Sequence, residues 1–235
     1  MHLFFGDAHF GNRYSNREEE RIGIFLDFLN KQVDHARTVF IIGDLFEFWF
    51  EYHSVIPKQY YPILNGLSKF VDKGINVNYF MGNHEFGNGD FFKSLGFHVY
   101  FDETIFQLDK LKVLVGHGDK ADDAAATQFM NFLFRSRFNQ FLYQLVHPDL
   151  GIGLAKAVAR ASREKTKLHD SSIKLENYAF KKLNEKDADI VIFGHSHMPV
   201  LKNYNGRYYL NVGDFLEHFT YGVIDQGRVF LKTIK

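Results

Sequence analysis

Six short apolar runs punctuate the chain, and each ends in glycine followed by a polar residue. They read HLFFGD (2–7), TVFIIGD (38–44), VNYFMGN (77–83), LKVLVGH (111–117), DIVIFGH (189–195) and YYLNVGD (208–214). Unbroken Val, Ile, Leu and Phe over this length predict strands covered on both faces. Between the runs the period changes. REEERIGIFLDFLNKQVDHA, from Arg17, sets Ile22, Phe25, Leu26 and Leu29 at i, i+3, i+4 and i+7, predicting an amphipathic helix with those four toward the core. PKQYYPILNGLSKFVDKG and SSIKLENYAFKKLNEKD carry weaker forms of the same pattern. Alternating strands and helices predict an α/β arrangement. From 207 to the end the chain is strand-like, with a turn signal at DQG, which predicts a final antiparallel stretch.

Composition narrows the function classes. A chain of 235 residues suits one large domain, or one domain with an insertion. Lys plus Arg equals Asp plus Glu, 28 each, so no overall charge favours nucleic acid. Without cysteine there are no disulfides, thiolate metal sites or cysteine nucleophiles. No apolar run approaches the roughly 20 residues needed to span a bilayer. Met1 to Phe5 lead straight into GDAH with no basic-then-apolar leader, so the expected location is the cytoplasm. No obligate protein partner is evident.

In sheets of this kind, ligands gather beyond the carboxyl ends of the strands. The polar residues after the glycines then share one rim: Asp7, Asp44, Asn83, His117, His195 and Asp214. Neighbouring positions add His9, His84 and His197, the last from GHSH, where two histidines one residue apart can aim at one point. Imidazoles, carboxylates and one amide suit Mn, Fe, Zn or Co. They are too many for one tetrahedral site, whose ligands number about four. Two divalent ions about 3.5–4 Å apart, bridged by a carboxylate, would use them. Such a centre stays cationic beside two aspartates, attracts phosphate oxygens and readies water for attack on phosphorus.

Asp-x-His, Gly-Asp, Gly-Asn-His-Glu, Gly-His and Gly-His-x-His, in this order from residue 6 to 197, resemble the calcineurin-like metallophosphoesterase superfamily. The resemblance implies an α/β fold: a two-sheet β-sandwich flanked by helices. It implies two divalent metal ions, Mn2+ being the usual pair. Asp7, His9, Asp44 and His197 would surround one; Asp44, Asn83, His117 and His195 would surround the other, with Asp44 bridging. His84 would stabilise or protonate the leaving oxygen. GDLFEFWF, HGD followed by DD, and a long insertion before GHSH are similar to the UDP-2,3-diacylglucosamine pyrophosphohydrolase family of lipid A biosynthesis. That likeness implies a lipid-linked nucleotide-sugar substrate, cleaved to UMP and 2,3-diacylglucosamine 1-phosphate, and peripheral contact with the cytoplasmic face of the inner membrane. It implies substrate contacts from Asn83, His84, Asp123, Ser162, Arg163, Thr166 and His195. The chain departs from many of that family in carrying His84 in GNHE where they have Arg in GNRD; histidine is the superfamily norm.

Residues 121–170 form the expected insertion, a helical cap within a single domain spanning 1–235. Phe129, Phe132, Leu133, Phe138, Phe141, Leu142 and Leu145 lie near one helical face, widened by Met130, Phe134 and Tyr143. Pro148 and Gly151 are expected to break that helix. The stripe is either core packed on the main domain or one wall of a cleft for acyl chains. From 135 to 167, Arg135, Arg137, Lys156, Arg160, Arg163, Lys165 and Lys167 face only Asp149 and Glu164, a locally basic stretch suited to phosphates or to solvent. Two further readings stay open: a metallophosphoesterase for a soluble nucleotide, cyclic nucleotide or phosphoprotein, and a non-catalytic scaffold. Trp49 is either packing or substrate floor, and Asp214 and Glu85 are taken as supporting residues.

Overall fold

The computed structural model describes residues 1–11, 17–52, 54–87, 89–121, 136–154 and 168–234. All six apolar runs are strands: β1 (His2–Phe5), β2 (Thr38–Ile41), β4 (Asn76–Phe80), β8 (Leu111–Val115), β9 (Ile190–Phe193) and β11 (Arg207–Asn211). The remaining strands are β3 (Trp49–Phe50), β5 (Glu85–Phe86), β6 (His98–Tyr100), β7 (Thr104–Leu108), β10 (Val200–Tyr204), β12 (Thr220–Asp225) and β13 (Arg228–Thr233). The helices are α1 (Glu18–Gln32), α2 (Tyr61–Asp72), α3 (Asp90–Ser94), α4 (Arg137–Gln144) and α5 (Leu168–Glu185). One sheet runs β13-β12-β1-β2-β4-β6, the other β10-β11-β9-β8-β7, and β3 pairs with β5 alone.

Within the first sheet β1, β2 and β4 are parallel; within the second β8, β9 and β11 are parallel. Alternation along each strand explains the sandwich. Phe4, Phe40, Ile42 and Phe80 face Val113, Val115, Ile190, Ile192 and Leu210 between the sheets. Leu3, Phe5, Val39, Ile41 and Tyr79 face the other way, onto Phe25, Phe28, Leu64 and Phe70 of α1 and α2. Leu114, Val191, Phe193 and Tyr209 pack beneath Leu175, Ala179 and Leu183 of α5. Helices thus cover both outer sheet faces, so every central strand is buried twice and its run is unbroken. Full burial of one such side chain contributes about 1.5–3 kcal/mol.

Three expectations need correction. α1 buries Arg21, Phe25, Phe28 and Leu29, while Ile22 and Leu26 sit at the margin. The face is rotated because Arg21 fills a polar gap under two loops. The tail ends in the expected antiparallel hairpin, β12 and β13 turned at Gln226 and Gly227 with φ of 50° and 75°, but its first strand is mixed: β11 is antiparallel to β10 and parallel to β9. Pro148 does not simply break a helix. Residues 148–154 are helical and Pro148 opens that segment, where its missing N–H costs nothing.

Candidate metal centre

The polar residue after each run lies just past the end of its strand, so both sheets deliver side chains to one edge. Asp7, His9, Asp44, His195 and His197 have φ of 47°, 45°, 49°, 65° and 58°. A side chain in this left-handed region costs of order 1–3 kcal/mol, and such residues cluster at functional sites. Two glycines are needed for close approach. A Cβ on Gly82 would stand 2.2 Å from Asp44 Oδ1, and one on Gly194 2.2 Å from Asp7 Oδ2.

Asp7, His9, Asp44 and His117 form a buried floor; Asn83, His84, His195 and His197 are half-buried and form the mouth. The donor atoms fall into two groups. In one, His9 Nε2 and His197 Nε2 are 3.2 Å apart, with His197 Nε2 at 3.7 Å from Asp7 Oδ1 and His9 Nε2 at 3.8 Å from Asp44 Oδ2. In the other, Asn83 Oδ1 is 3.0 Å from His117 Nε2 and 3.1 Å from His195 Nδ1, while His117 Nε2 is 3.5 Å from Asp44 Oδ2. Asp44 Oδ2 belongs to both groups. His84 Nε2 stands 4.0 Å from that same oxygen, at the mouth.

Surrounding hydrogen bonds settle which atoms face inward. His117 Nδ1 donates to the Ile42 carbonyl at 2.8 Å and His84 Nδ1 to the Glu47 carbonyl at 2.8 Å, leaving Nε2 of each as an inward lone pair. The second oxygens of the two aspartates are occupied: Asp44 Oδ1 accepts the His84 N–H at 2.9 Å, and Asp7 Oδ2 the His195 N–H at 2.8 Å. Asp7 Oδ1, fully buried, has no hydrogen-bond partner among the described residues. Burial pushes the Asp7 carboxyl up, with Asp44 adding to the rise and His197 and His117 opposing it. Burial also works against charge on Asp44, but His117, His84 and His9 outweigh it and hold Asp44 well below the usual carboxylate range. His117 rises well above ordinary histidine, its burial overcome by Asp44. An orphaned buried carboxylate oxygen, donor atoms meeting within 3.0–4.0 Å and imidazoles driven toward the cationic form fit divalent ions. Asp7, His9 and His197, then His9, Asp44 and His84, then Asp7, Asp44 and His117 form three overlapping groups with donor atoms within 4.8 Å of one another.

Glu85 and Asp214, read from sequence as supporting residues, and Glu47, not read in that role, brace the ligands. Glu85 Oε1 accepts from Leu45 N at 2.9 Å and Tyr79 Oη at 2.5 Å; Oε2 accepts from Asp44 N at 3.2 Å and Gly82 N at 2.9 Å. Burial and the nearby Asp44 push Glu85 up to about 7. It fixes the backbone on which Asp44 sits. Asp214 Oδ1 accepts the backbone N–H groups of Leu216, Glu217 and His218, while Oδ2 lies 3.0 Å from His218 Nδ1 and 3.7 Å from His197 Nδ1. Burial opposes charge there too, but those donors, with His197 foremost, hold Asp214 far down as a carboxylate. Buried Glu47 places Oε2 3.6 Å from His9 Nδ1. Trp49 is packing: fully buried, with ring centroids 5.1 Å from Phe46 and 4.6 Å from Phe92.

The sequence-predicted contacts Asp123, Ser162, Arg163 and Thr166, with Phe129, Met130, Phe132, Leu133 and Phe134, lie outside the described residues. Of the described stripe, Phe138, Phe141, Leu142 and Leu145 are exposed, as are Leu150 and Leu154, and Leu145 and Leu150 each keep 71% of their surface. Tyr143 alone turns inward, its ring centroid 4.5 Å from Phe50. A cavity of about 990 Å³ lies between this segment and the loop before α2, lined by Glu47, Tyr52, Val55, Ile56, His147 and Ile152. Glu47 connects it to the centre.

The family described as calcineurin-like phosphoesterase matches residues 3–199. Three curated relatives are each named UDP-2,3-diacylglucosamine hydrolase. That of Porphyromonas gingivalis is 28% identical over 99% of this chain and 97% of its own. That of Neisseria meningitidis serogroup C is 29% identical over 90% and 88%. That of Haemophilus influenzae (Rd) is 26% identical over 92% and 91%.

Proposed function

The chain belongs to the calcineurin-like phosphoesterase family and is a metal-dependent phosphohydrolase; on that premise we propose that it cleaves UDP-2,3-diacylglucosamine to UMP and 2,3-diacylglucosamine 1-phosphate. The observation that carries the hydrolytic part is the pair of donor groups meeting at Asp44 Oδ2. Asp7, His9, Asp44 and His197 hold one divalent ion and Asp44, Asn83, His117 and His195 the other, Mn2+ being the ion we assign. When bound, the ions supply Lewis acidity at phosphorus and water acidified toward neutral pH. Asn83 and His195, half-buried at the mouth, orient the diphosphate. His84 holds its ring in place by the Nδ1 bond to the Glu47 carbonyl, and after Nε2 takes up a proton it donates that proton to the leaving oxygen.

The lipid part of the reading draws support from the relatives' names and from the insertion. Residues 121–170 serve as a cap on a single domain, and its exposed Phe138, Phe141, Leu145 and Leu150 are offered to acyl chains and to a membrane surface. Each methylene withdrawn from water is worth about 0.8 kcal/mol, so acyl chains supply ample binding energy. Asp123, Ser162, Arg163 and Thr166 complete the contacts to sugar and phosphate. No helix among the described residues is long and apolar enough to cross a membrane.

The test is phosphorus NMR of the Mn2+-loaded chain with UDP-2,3-diacylglucosamine in detergent. UMP and the sugar 1-phosphate are expected. An intact lipid substrate beside rapid turnover of a water-soluble phosphodiester would overturn the substrate assignment. His84→Ala is expected to lower kcat by roughly 10²–10⁴-fold with metal content kept. Loss of metal instead would remove His84 from its acid role.

A further inference from the structure

Arg21 lies in the first turns of α1, and its side chain is only 3% exposed. Its guanidinium reaches two separate loops. Nη2 donates to the carbonyl of Ala8, the residue between Asp7 and His9. Nε donates to the carbonyl of Phe215 at 3.1 Å, the residue after Asp214. Nη1 donates to Glu18 Oε2 at 2.6 Å, and Glu18 Oε1 in turn accepts the N–H of Gly11 at 2.6 Å. The guanidinium carbon also stands 5.3 Å above the Phe10 ring.

On its opposite side the loop is already pinned. Asp7 N bonds Gly43 O, His9 N bonds Asp44 O and Phe10 N bonds Leu45 O, each at 3.0 Å. Residues 7–11 are therefore clamped between the Asp44 loop and the Arg21–Glu18 pair. The second loop matters equally, because Asp214 Oδ2 stands 3.7 Å from His197 Nδ1. One cation thus fixes the backbones that carry Asp7 and His9 and the backbone that carries the partner of His197. Those three side chains form one donor group of the centre.

We infer that Arg21, with Glu18, is a positioning residue that sets the spacing of the Asp7–His9–His197 group and hence its affinity for the ion. The inference rests on the proposed ligand roles of these three residues. A buried cation in an otherwise apolar face is costly unless fully engaged. Here a planar fork with several directed donors is engaged by two carbonyls and a carboxylate, an arrangement an ammonium cannot reproduce. The left-handed φ of 47° at Asp7 and 45° at His9 needs outside support of this kind.

The test is titration of the metal-free full chain with Mn2+, following free Mn2+ by electron paramagnetic resonance, for wild type, Arg21→Lys and Glu18→Ala. Wild type is expected to take up two ions. Arg21→Lys should weaken one of the two by roughly 10–100-fold, the range for groups that hold a ligand, and leave the other within twofold. Glu18→Ala, whose side chain is partly exposed, should weaken the same ion by about tenfold. Saturating Mn2+ should restore most of the activity of either variant. If Arg21→Lys fails to fold, Glu18→Ala decides alone. Folded variants that bind both ions as wild type does would overturn the role of Arg21 while leaving the metal centre standing. A wild type that binds no Mn2+ would instead sink the ligand assignment beneath it.

Discussion

The centre at the strand ends and the segment from 136 to 154 are built on opposite terms. At the centre, each ligand-bearing loop is held from several sides: by neighbouring loops through backbone bonds, and by the buried carboxylates of Glu85 and Asp214 and the guanidinium of Arg21. The insertion's contacts with the rest of the described chain include Tyr143 against Phe48, Phe50 and Tyr52, a 3.3 Å bond from Gln144 Nε2 to the Glu51 carbonyl, and Gly151 under Tyr52. Among its described side chains, Phe138, Phe141, Leu145 and Leu150 face outward. On the proposed function, the difference separates two tasks. Phosphoryl chemistry needs groups held to within a fraction of an ångström, whereas a surface that receives flexible apolar groups needs area and tolerance.

The sharpest way to break this contrast is Asp44→Asn. Asp44 Oδ2 is shared by both donor groups, so its loss removes charge from both at once. Several kcal/mol of transition-state stabilisation should go, lowering kcat by about 10³-fold or more on lipid and soluble substrates alike. Equal losses on both substrates would sharpen the division of labour. A loss confined to one substrate would mean that the centre itself selects substrate. Steady-state kinetics with each substrate decides.

Removing the ions probes the same region through stability. With metal at about 100 times its Kd, each ion binding to the folded state alone adds about 2.7 kcal/mol, about 5 kcal/mol for the pair. Chelation of both should therefore lower Tm by roughly 10–20 °C for a chain of this size. The loss should fall on the strand-end loops, seen as faster hydrogen exchange at residues 7–11 and 43–47, with α4 unchanged. Faster exchange in α4 would show that the two regions are coupled.

The comparison also explains what could be read from sequence. Strands of the sandwich core are buried on both faces, so they announce themselves as unbroken apolar runs, and the Gly-polar step after each marks where side chains must turn out of the sheet. Asp7, Asp44, Asn83, His117 and His195 were legible for that reason. Glu85 and Asp214 are marked as supporting residues by their places beside the ligands, but what Glu85 holds, like what Arg21 holds, lies on loops brought near only by folding, such as the Asp44 N–H, 41 residues from Glu85, and the Phe215 carbonyl, 194 residues from Arg21. No local period encodes that. A cation at an apolar helix position, four before Phe25 and seven before Phe28, was the one available sign. In the insertion, the helical stripe of Phe138, Phe141, Leu142 and Leu145 was visible, but periodicity reports that a face is apolar, not what covers it. The exposure of that face is a fact of the fold alone.

The smallest expected effect is the most discriminating. A Cβ on Gly151 would lie 2.3 Å from Tyr52 Oη and 3.1 Å from Tyr143 Oη, so Gly151→Ala must displace either the Tyr52 ring or the helical segment 148–154. Tyr52 is braced edge-on by Phe50 at 4.9 Å, which favours movement of the segment. Such overpacking costs about 1–3 kcal/mol. If that strain tilts the surface proposed to face acyl chains, KM for the proposed lipid substrate rises by about tenfold, equivalent to 1.4 kcal/mol, while turnover of a soluble diester stays within twofold. Tyr52→Phe removes the oxygen that clashes, so the double variant Gly151→Ala/Tyr52→Phe should regain most of the lost affinity, a coupling only contacting residues show. Parallel losses on both substrates would mean that the insertion helps shape the metal floor, and the separation of the two regions would have to be abandoned.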